Sequence, residues 1–199
     1  MGAVVATQVA KAGPVSTTER VMVAWSHATP TARRATVLAA GTSPILGAMA
    51  PTAVSVRIGI SIAGVLLALA ASVDVHERRL PNRLLALATA ALFVGAVIDG
   101  LATTASAGMG ALVALALMLT ARLRGGVGLG DVKAAGVVGA AAGVLAVTAA
   151  LVAIAVASGT AAMVGVIRRR AALPLGPSLW FGWAVATVLA TMGPLARVR

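Results

Sequence analysis

The sequence predicts an all-α, polytopic membrane helix bundle with about six transmembrane helices, and three observations carry that prediction. Only 11% of the residues are charged and the mean hydropathy is +1.01, whereas about a quarter of a soluble domain is charged. From residue 56 onward, apolar runs long enough to cross or nearly cross a bilayer follow one another. The 16 Lys and Arg outnumber the 5 Asp and Glu, for a net charge of +11, and fall in short clusters between those runs. That spacing matches loops retained on the cytoplasmic side of a membrane. A nucleic-acid-binding stripe with interleaved aromatics is missing, so nucleic acid is not an expected partner.

Residues 1–34 scatter Ser, Thr, Pro, His and Arg among Ala and Val, without the charged start and apolar middle of a signal peptide and without a helical period. Residues 35–50 are more apolar but contain Gly41, Pro44 and Gly47. Residues 1–50 are therefore expected to be a poorly ordered extension ahead of a membrane-embedded domain at 51–199, with Met49 as the expected true start. The first span, VRIGISIAGVLLALAASV at 56–73, is stopped by Asp74 and the polar DVHERRLPNR; LLALATAALFVGAVI at 84–98 follows and exits at Asp99 and Gly100. A third span, about 106–121, ends at the basic RLR of 122–124. Residues 132–167 are too long for one crossing at about 1.5 Å per residue and predict two short helices broken around 139–143. The basic RRR of 168–170 and the turn LPLGP precede a last span at about 179–195, where Trp180 and Trp183 fit an interfacial aromatic belt.

This topology carries Arg78, Arg79, Arg83, Arg122, Arg124 and Arg168 to Arg170 to one face. Asp74 and Asp131 come to the same level, while Asp99 falls on the opposite face. A carboxylate in so apolar a setting is costly unless paired or protonated. Two within hydrogen-bond reach would share a proton, one deprotonating a water while the other protonates a scissile carbonyl, as in aspartic proteases. Gly128 and Gly130 allow a sharp turn and a close backbone approach beside Asp131. Lys133 reads as an anchor for the helix end, and Asp131 taken alone would also serve as a helix N-cap. The chain has no cysteine, which excludes disulfides, thiolate zinc sites and cysteine nucleophiles. His27 and His76 stand apart and read as loop residues, so no metal and no cofactor is expected. The competing function is a small transporter or channel subunit, which calls for acids near the midplane and internal repeats. Here both acids sit at span ends and no repeat is evident.

The stretches DVHERRLPNRL (74–84), GLGDVK (128–133) and LPLGPSLWFG (173–182) resemble, in order and spacing, the type IV prepilin leader peptidases, membrane aspartic proteases of the GxGD kind. In that family the first aspartate is followed by an Ile/Leu-Pro-Asn/Asp turn, matched by Leu80, Pro81 and Asn82. The second closes a G-x-G-D-x-K segment, matched by Gly128, Gly130, Asp131 and Lys133, and a late turn is matched by Pro174, Gly176 and Pro177. Leu175 departs from the more usual aromatic there. The resemblance implies that Asp74 and Asp131 are the catalytic pair. It implies a prepilin-like membrane protein substrate, whose basic leader is cut ahead of its apolar helix, and a place in the inner (plasma) membrane with the active site facing the cytoplasm. Long members add a cysteine-zinc methyltransferase domain, so this cysteine-free chain resembles the short, peptidase-only form of Flp/Tad pilus systems. Oligomeric state is not implied. A basic leader is not attracted by arginines, so the basic loops are assigned to topology and lipid contact. Substrate docking is expected along the small residues Gly136, Gly139 and Gly143.

Overall fold

The computed structural model describes residues 16–50, 52–125, 127–168 and 174–193. Among these the chain forms α1 (Thr17–His27), α2 (Pro30–Met49), α3 (Val54–Glu77), α4 (Asn82–Asp99), α5 (Leu101–Leu123), α6 (Leu129–Gly143), α7 (Val147–Arg168) and α8 (Gly176–Thr191), with no strand. Segments Val54–Val75, Asn82–Asp99, Leu101–Leu123 and Val147–Ile167 are long and apolar enough to cross a membrane. At 15 and 16 residues, α6 and α8 fall short of the roughly 20 residues a full crossing needs. Six helices thus stand where six spans are expected, of which four have spanning length.

α6 is the hub. Its sequence, LGDVKAAGVVGAAAG, is apolar on every side after Lys133 and carries almost no side-chain volume, so it gains most when enclosed. Val132 and all residues from Ala134 to Gly143 are buried, and α3, α4, α5, α7 and α8 all touch this helix. The closest approach is to α5. A Cβ on Gly139 would collide with Ala114 Cβ and the Gly110 carbonyl, and one on Gly143 would lie 2.7 Å from the Ser106 carbonyl. Small residues at such a seam let two backbones touch, which replaces the hydrophobic drive that a lipid solvent cannot supply. Gly136, Gly139 and Gly143 are therefore filled by α5, with Leu115 closing over Gly136. The expected docking of a substrate helix along them is corrected: that surface is interior.

A second layer forms around α3, which packs on α2, α4 and α8. The α3–α4 seam repeats the same device, with Gly59 against the Ala91 carbonyl and Gly95 against that of Ser55. α4 and α5 are joined by Gly100 alone, whose φ of 133 lies where a side chain is strained. The one-residue link turns the chain back at the end opposite Asp74.

Three expectations change. Residues 17–27 and 30–49 are helical, not poorly ordered. Pro44 sits inside α2, and the local disfavour of Gly41, Pro44 and Gly47 is overridden by packing. Ser43 is buried and accepts a hydrogen bond from Trp180 Nε1 at 3.3 Å, while Gly47 rests on Ser61. Trp183 does not belong to an interfacial belt either. Trp183 is fully buried, its ring edge over Gly64, and Trp180 lies tilted beside it at 6.2 Å between ring centres. Finally, His27 ends α1 and His76 lies within α3, so neither is a loop residue. The basic residues 169 and 170, the turn's Leu173, and Arg197 and Arg199 lie outside the described residues.

Gly139→Ala should lower the stability of the detergent-purified protein by about 1–3 kcal/mol, through overpacking against α5. Gly159→Ala, on α7 where a Cβ meets nothing within 4 Å, should be neutral or stabilising by up to about 1 kcal/mol. Thermal unfolding of the two variants side by side separates close packing from helix propensity.

Candidate active site

Successive antiparallel helices bring three connections to one end of the bundle, among them the described residues 78–81, 124–125 with 127–128, and 174–175. Asp74 belongs to the last turn of α3. Arg78 closes that helix in the left-handed region, φ 51, its N–H donating to the Asp74 carbonyl at 2.9 Å. Non-glycine residues seldom adopt this conformation, and here it reverses the chain within four residues. Pro81 then stands as the N-cap residue of α4 and Asn82 as its first residue. The Asp74 side chain is 4% exposed, and its Oδ2 accepts the Gly176 N–H at 3.0 Å.

That bond explains the late turn. Gly176 and Pro177 open α8, where an amide is free to donate outward and where a proline's missing N–H is harmless. A Cβ on Gly176 would lie 3.0 Å from both Ala71 Cα and Asp74 Oδ2. Glycine is what lets the amide come within reach of the buried carboxylate. Pro174 precedes the helix, and neither it nor Pro177 lines the cavity described next.

Asp131 is the third residue of α6. Gly128 is the N-cap residue, so the expected N-cap role is corrected: Asp131 Oδ2 reaches back and accepts the Gly128 N–H at 3.2 Å, as the third residue of a capping box does. This uses one lone pair of one oxygen and leaves a carboxylate with further capacity. A Cβ on Gly130 would meet Leu80 in ordinary contact, 3.6 Å away, so packing within the chain does not itself demand glycine there. Lys133, expected as an interfacial anchor, donates from Nζ to Asn82 Oδ1 at 3.3 Å and so ties α6 to the start of α4.

Asp74 and Asp131, far apart in sequence, line one open cavity of about 370 Å³, together with Leu80, Asn82, Gly128, Gly130 and Lys133. Burial, and then the charge of Asp74, push the Asp131 carboxyl above the ordinary carboxylate range, against the opposing Gly128 hydrogen bond. Desolvation and like-charge repulsion are the conditions under which two carboxylates hold a proton between them. The arrangement puts two carboxyl groups at one opening, a set suited to general acid–base attack of water on a polar bond.

Arg78 and Arg79 also line this cavity, a placement that sequence reasoning missed by assigning them to topology and lipid alone. Their spacing of four and five residues from Asp74 is the signal that could have found them. Asp99 lies at the other end of α4 and takes no part.

The model of the type IV leader peptidase family matches residues 61–167 of the chain. No curated protein and no solved structure matches it. The matched segment contains both aspartates and the LPN and GLGD turns, while the α8 turn that supplies the Gly176 amide lies beyond it.

Because the folded-state pKa of Asp131 is raised, its ionisation opposes folding. Its effect on stability should be most favourable below the ordinary carboxylate range and decline as pH climbs through the raised value. Asp131→Asn should flatten that decline in unfolding temperatures measured between acid and neutral pH. Gly176→Ala should push the amide off Asp74 and cost about 1–3 kcal/mol, the penalty of leaving a buried acceptor unpaired. Chemical unfolding in detergent checks this.

Proposed function

Given that the chain belongs to the type IV leader peptidase family, we propose that it is an aspartic endopeptidase whose catalytic pair is Asp74 and Asp131. The carrying observation is that these two carboxyl groups, from the end of α3 and the start of α6, open on one cavity. With one proton between them, the ionised member takes a proton from water. The resulting hydroxide attacks the scissile carbonyl as the protonated member donates to its oxygen. Collapse of the gem-diol intermediate breaks the C–N bond: the carboxyl group that received the water's proton delivers it to the leaving amine, while the other carboxylate takes a proton back from a gem-diol hydroxyl, which restores the singly protonated pair. Arg78 and Arg79 stand exposed on the cavity wall, where solvent screens their charge.

The substrate in this reading is a prepilin-like membrane protein, cut at the cytoplasmic surface between its basic leader and its apolar helix. Two features support it. The cavity lies at the ends of membrane-length helices, not near their middle. The basic clusters of 78–83 and 122–124 share that end of the bundle, the distribution expected of a cytoplasmic face.

Co-expression of a candidate prepilin with the wild-type chain, Asp74→Asn or Asp131→Asn tests the assignment. The wild type should release a shortened pilin with a new N-terminus, and each variant should lose at least roughly a hundredfold in rate, since Asn cannot cycle a proton. Size and N-terminal sequencing at matched membrane abundance provide the readout. Processing by both variants would remove the aspartates from the chemistry.

A further inference from the structure

The end of the bundle away from Asp74 and Asp131 holds a second cavity, larger than the first at about 780 Å³ and of a size typical for small-ligand sites. Its walls combine Arg57 from the first turn of α3, Asp99 from the end of α4, Thr103 and Ser106 from α5, and residues 144–148 leading into α7. No step of the peptidase chemistry uses any of them. Each charged group is bonded away from the other: Arg57 Nε donates to the Thr52 carbonyl at 2.8 Å, and Asp99 Oδ2 accepts from the Thr103 hydroxyl. The remaining guanidinium nitrogens of Arg57 have no hydrogen-bond partner among the described residues. The wall also encloses the Thr52 hydroxyl, which has no hydrogen-bond partner among the described residues.

Three helix starts meet at this cavity, those of α3, α5 and α7. Neither α3 nor α5 has a side-chain cap for its first amides. Free helix-start amides beside an arginine make a favourable setting for an anionic group such as phosphate. A carboxylate in the same wall opposes a plain anion and favours a ligand that also carries a cation. The surroundings narrow the source further. Val54, Ile98 and Leu101, each next to a residue of the wall or one removed from it, are 68%, 70% and 85% exposed, and they belong to helices of membrane-crossing length. A polar cavity at helix ends with an apolar rim matches a molecule with a charged head and acyl chains.

We propose that this cavity binds the headgroup of a zwitterionic phospholipid, the phosphate at Arg57 and the helix starts, and a primary ammonium at Asp99. A primary ammonium can donate hydrogen bonds to Asp99, which a trimethylammonium cannot.

Binding to the delipidated, full-length protein in detergent tests this, read by native mass spectrometry and by the shift in unfolding temperature. The probes are short-chain phosphatidylethanolamine, phosphatidylcholine and phosphatidylglycerol, with O-phosphoethanolamine and inorganic phosphate as headgroup-only controls. Phosphatidylethanolamine should bind roughly tenfold more tightly than either other lipid, the scale of a charge-assisted hydrogen bond. Asp99→Asn should abolish that preference while Asp99→Glu retains it, and Arg57→Gln should weaken binding of all three lipids by roughly tenfold. The wild-type lipid series needs no variant to fold, so equal binding of the three lipids would by itself overturn the proposal. So would a preference that survives Asp99→Asn in a helical, monodisperse protein. Binding of O-phosphoethanolamine or phosphate as tight as that of the lipid would assign the cavity to a soluble phosphate compound and overturn the lipid source.

Discussion

The architecture depends on one constraint, the lack of side-chain volume along α6. In lipid, apolar surface gains little by leaving its surroundings, so helices associate by close packing and by satisfying polar groups. A helix made of Ala, Gly and Val can sit at the centre of five others only if their backbones come to it. The collisions awaiting a Cβ at Gly139 or Gly143 show that the backbone of α5 does. With the axis of α6 set by α5, its first turn is placed as well, and with it Asp131. The carboxylate pair follows from a packing decision made mainly by residues that carry no chemistry.

The same economy governs the polar end. Asp74 is enclosed in an otherwise apolar bundle and has a backbone amide of α8 as its partner, while Asp131 is held by an amide of its own helix start. Backbone amides are suited to this: they are fixed in place by the helices that bear them, and they carry no counter-charge that would hold both carboxylates ionised. The arginines that line the cavity are exposed, where solvent weakens their reach. The family match and the cavity support one chemistry for this end, and the opposite cavity, with its own Arg and Asp, has the makings of an interfacial lipid contact.

Much of the fold was legible because the relevant signals are local. The six helices from residue 54 onward are each visible as an apolar run bounded by Arg, Asp, Gly or Pro. The break between α6 and α7 falls within a few residues of the glycine cluster that marks it. Misreadings share one cause. Gly41, Pro44 and Gly47 lower the intrinsic helicity of 30–49, yet that segment is a helix because Ser43 and Gly47 pack on α8 and α3, partners that no local window contains. Trp183 resembles an interfacial residue by its place at a helix start and is instead buried over Gly64. Gly136 to Gly143 look like an open docking strip in sequence and are occupied by α5.

The sequence by itself determined the membrane class, the helix order, the common end reached by Asp74 and Asp131, and the family to which their flanking turns point, because hydropathy, charge clusters and short motifs are properties of adjacent residues. The tertiary structure decided which surfaces are interior and which groups satisfy the buried carboxylates. It also decided which arginines share their cavity, and that a second polar cavity exists at the far end. These depend on contacts between residues distant in the chain, and in a bundle of small, similar side chains the choice among such contacts is set by how closely backbones can approach, which no single segment encodes.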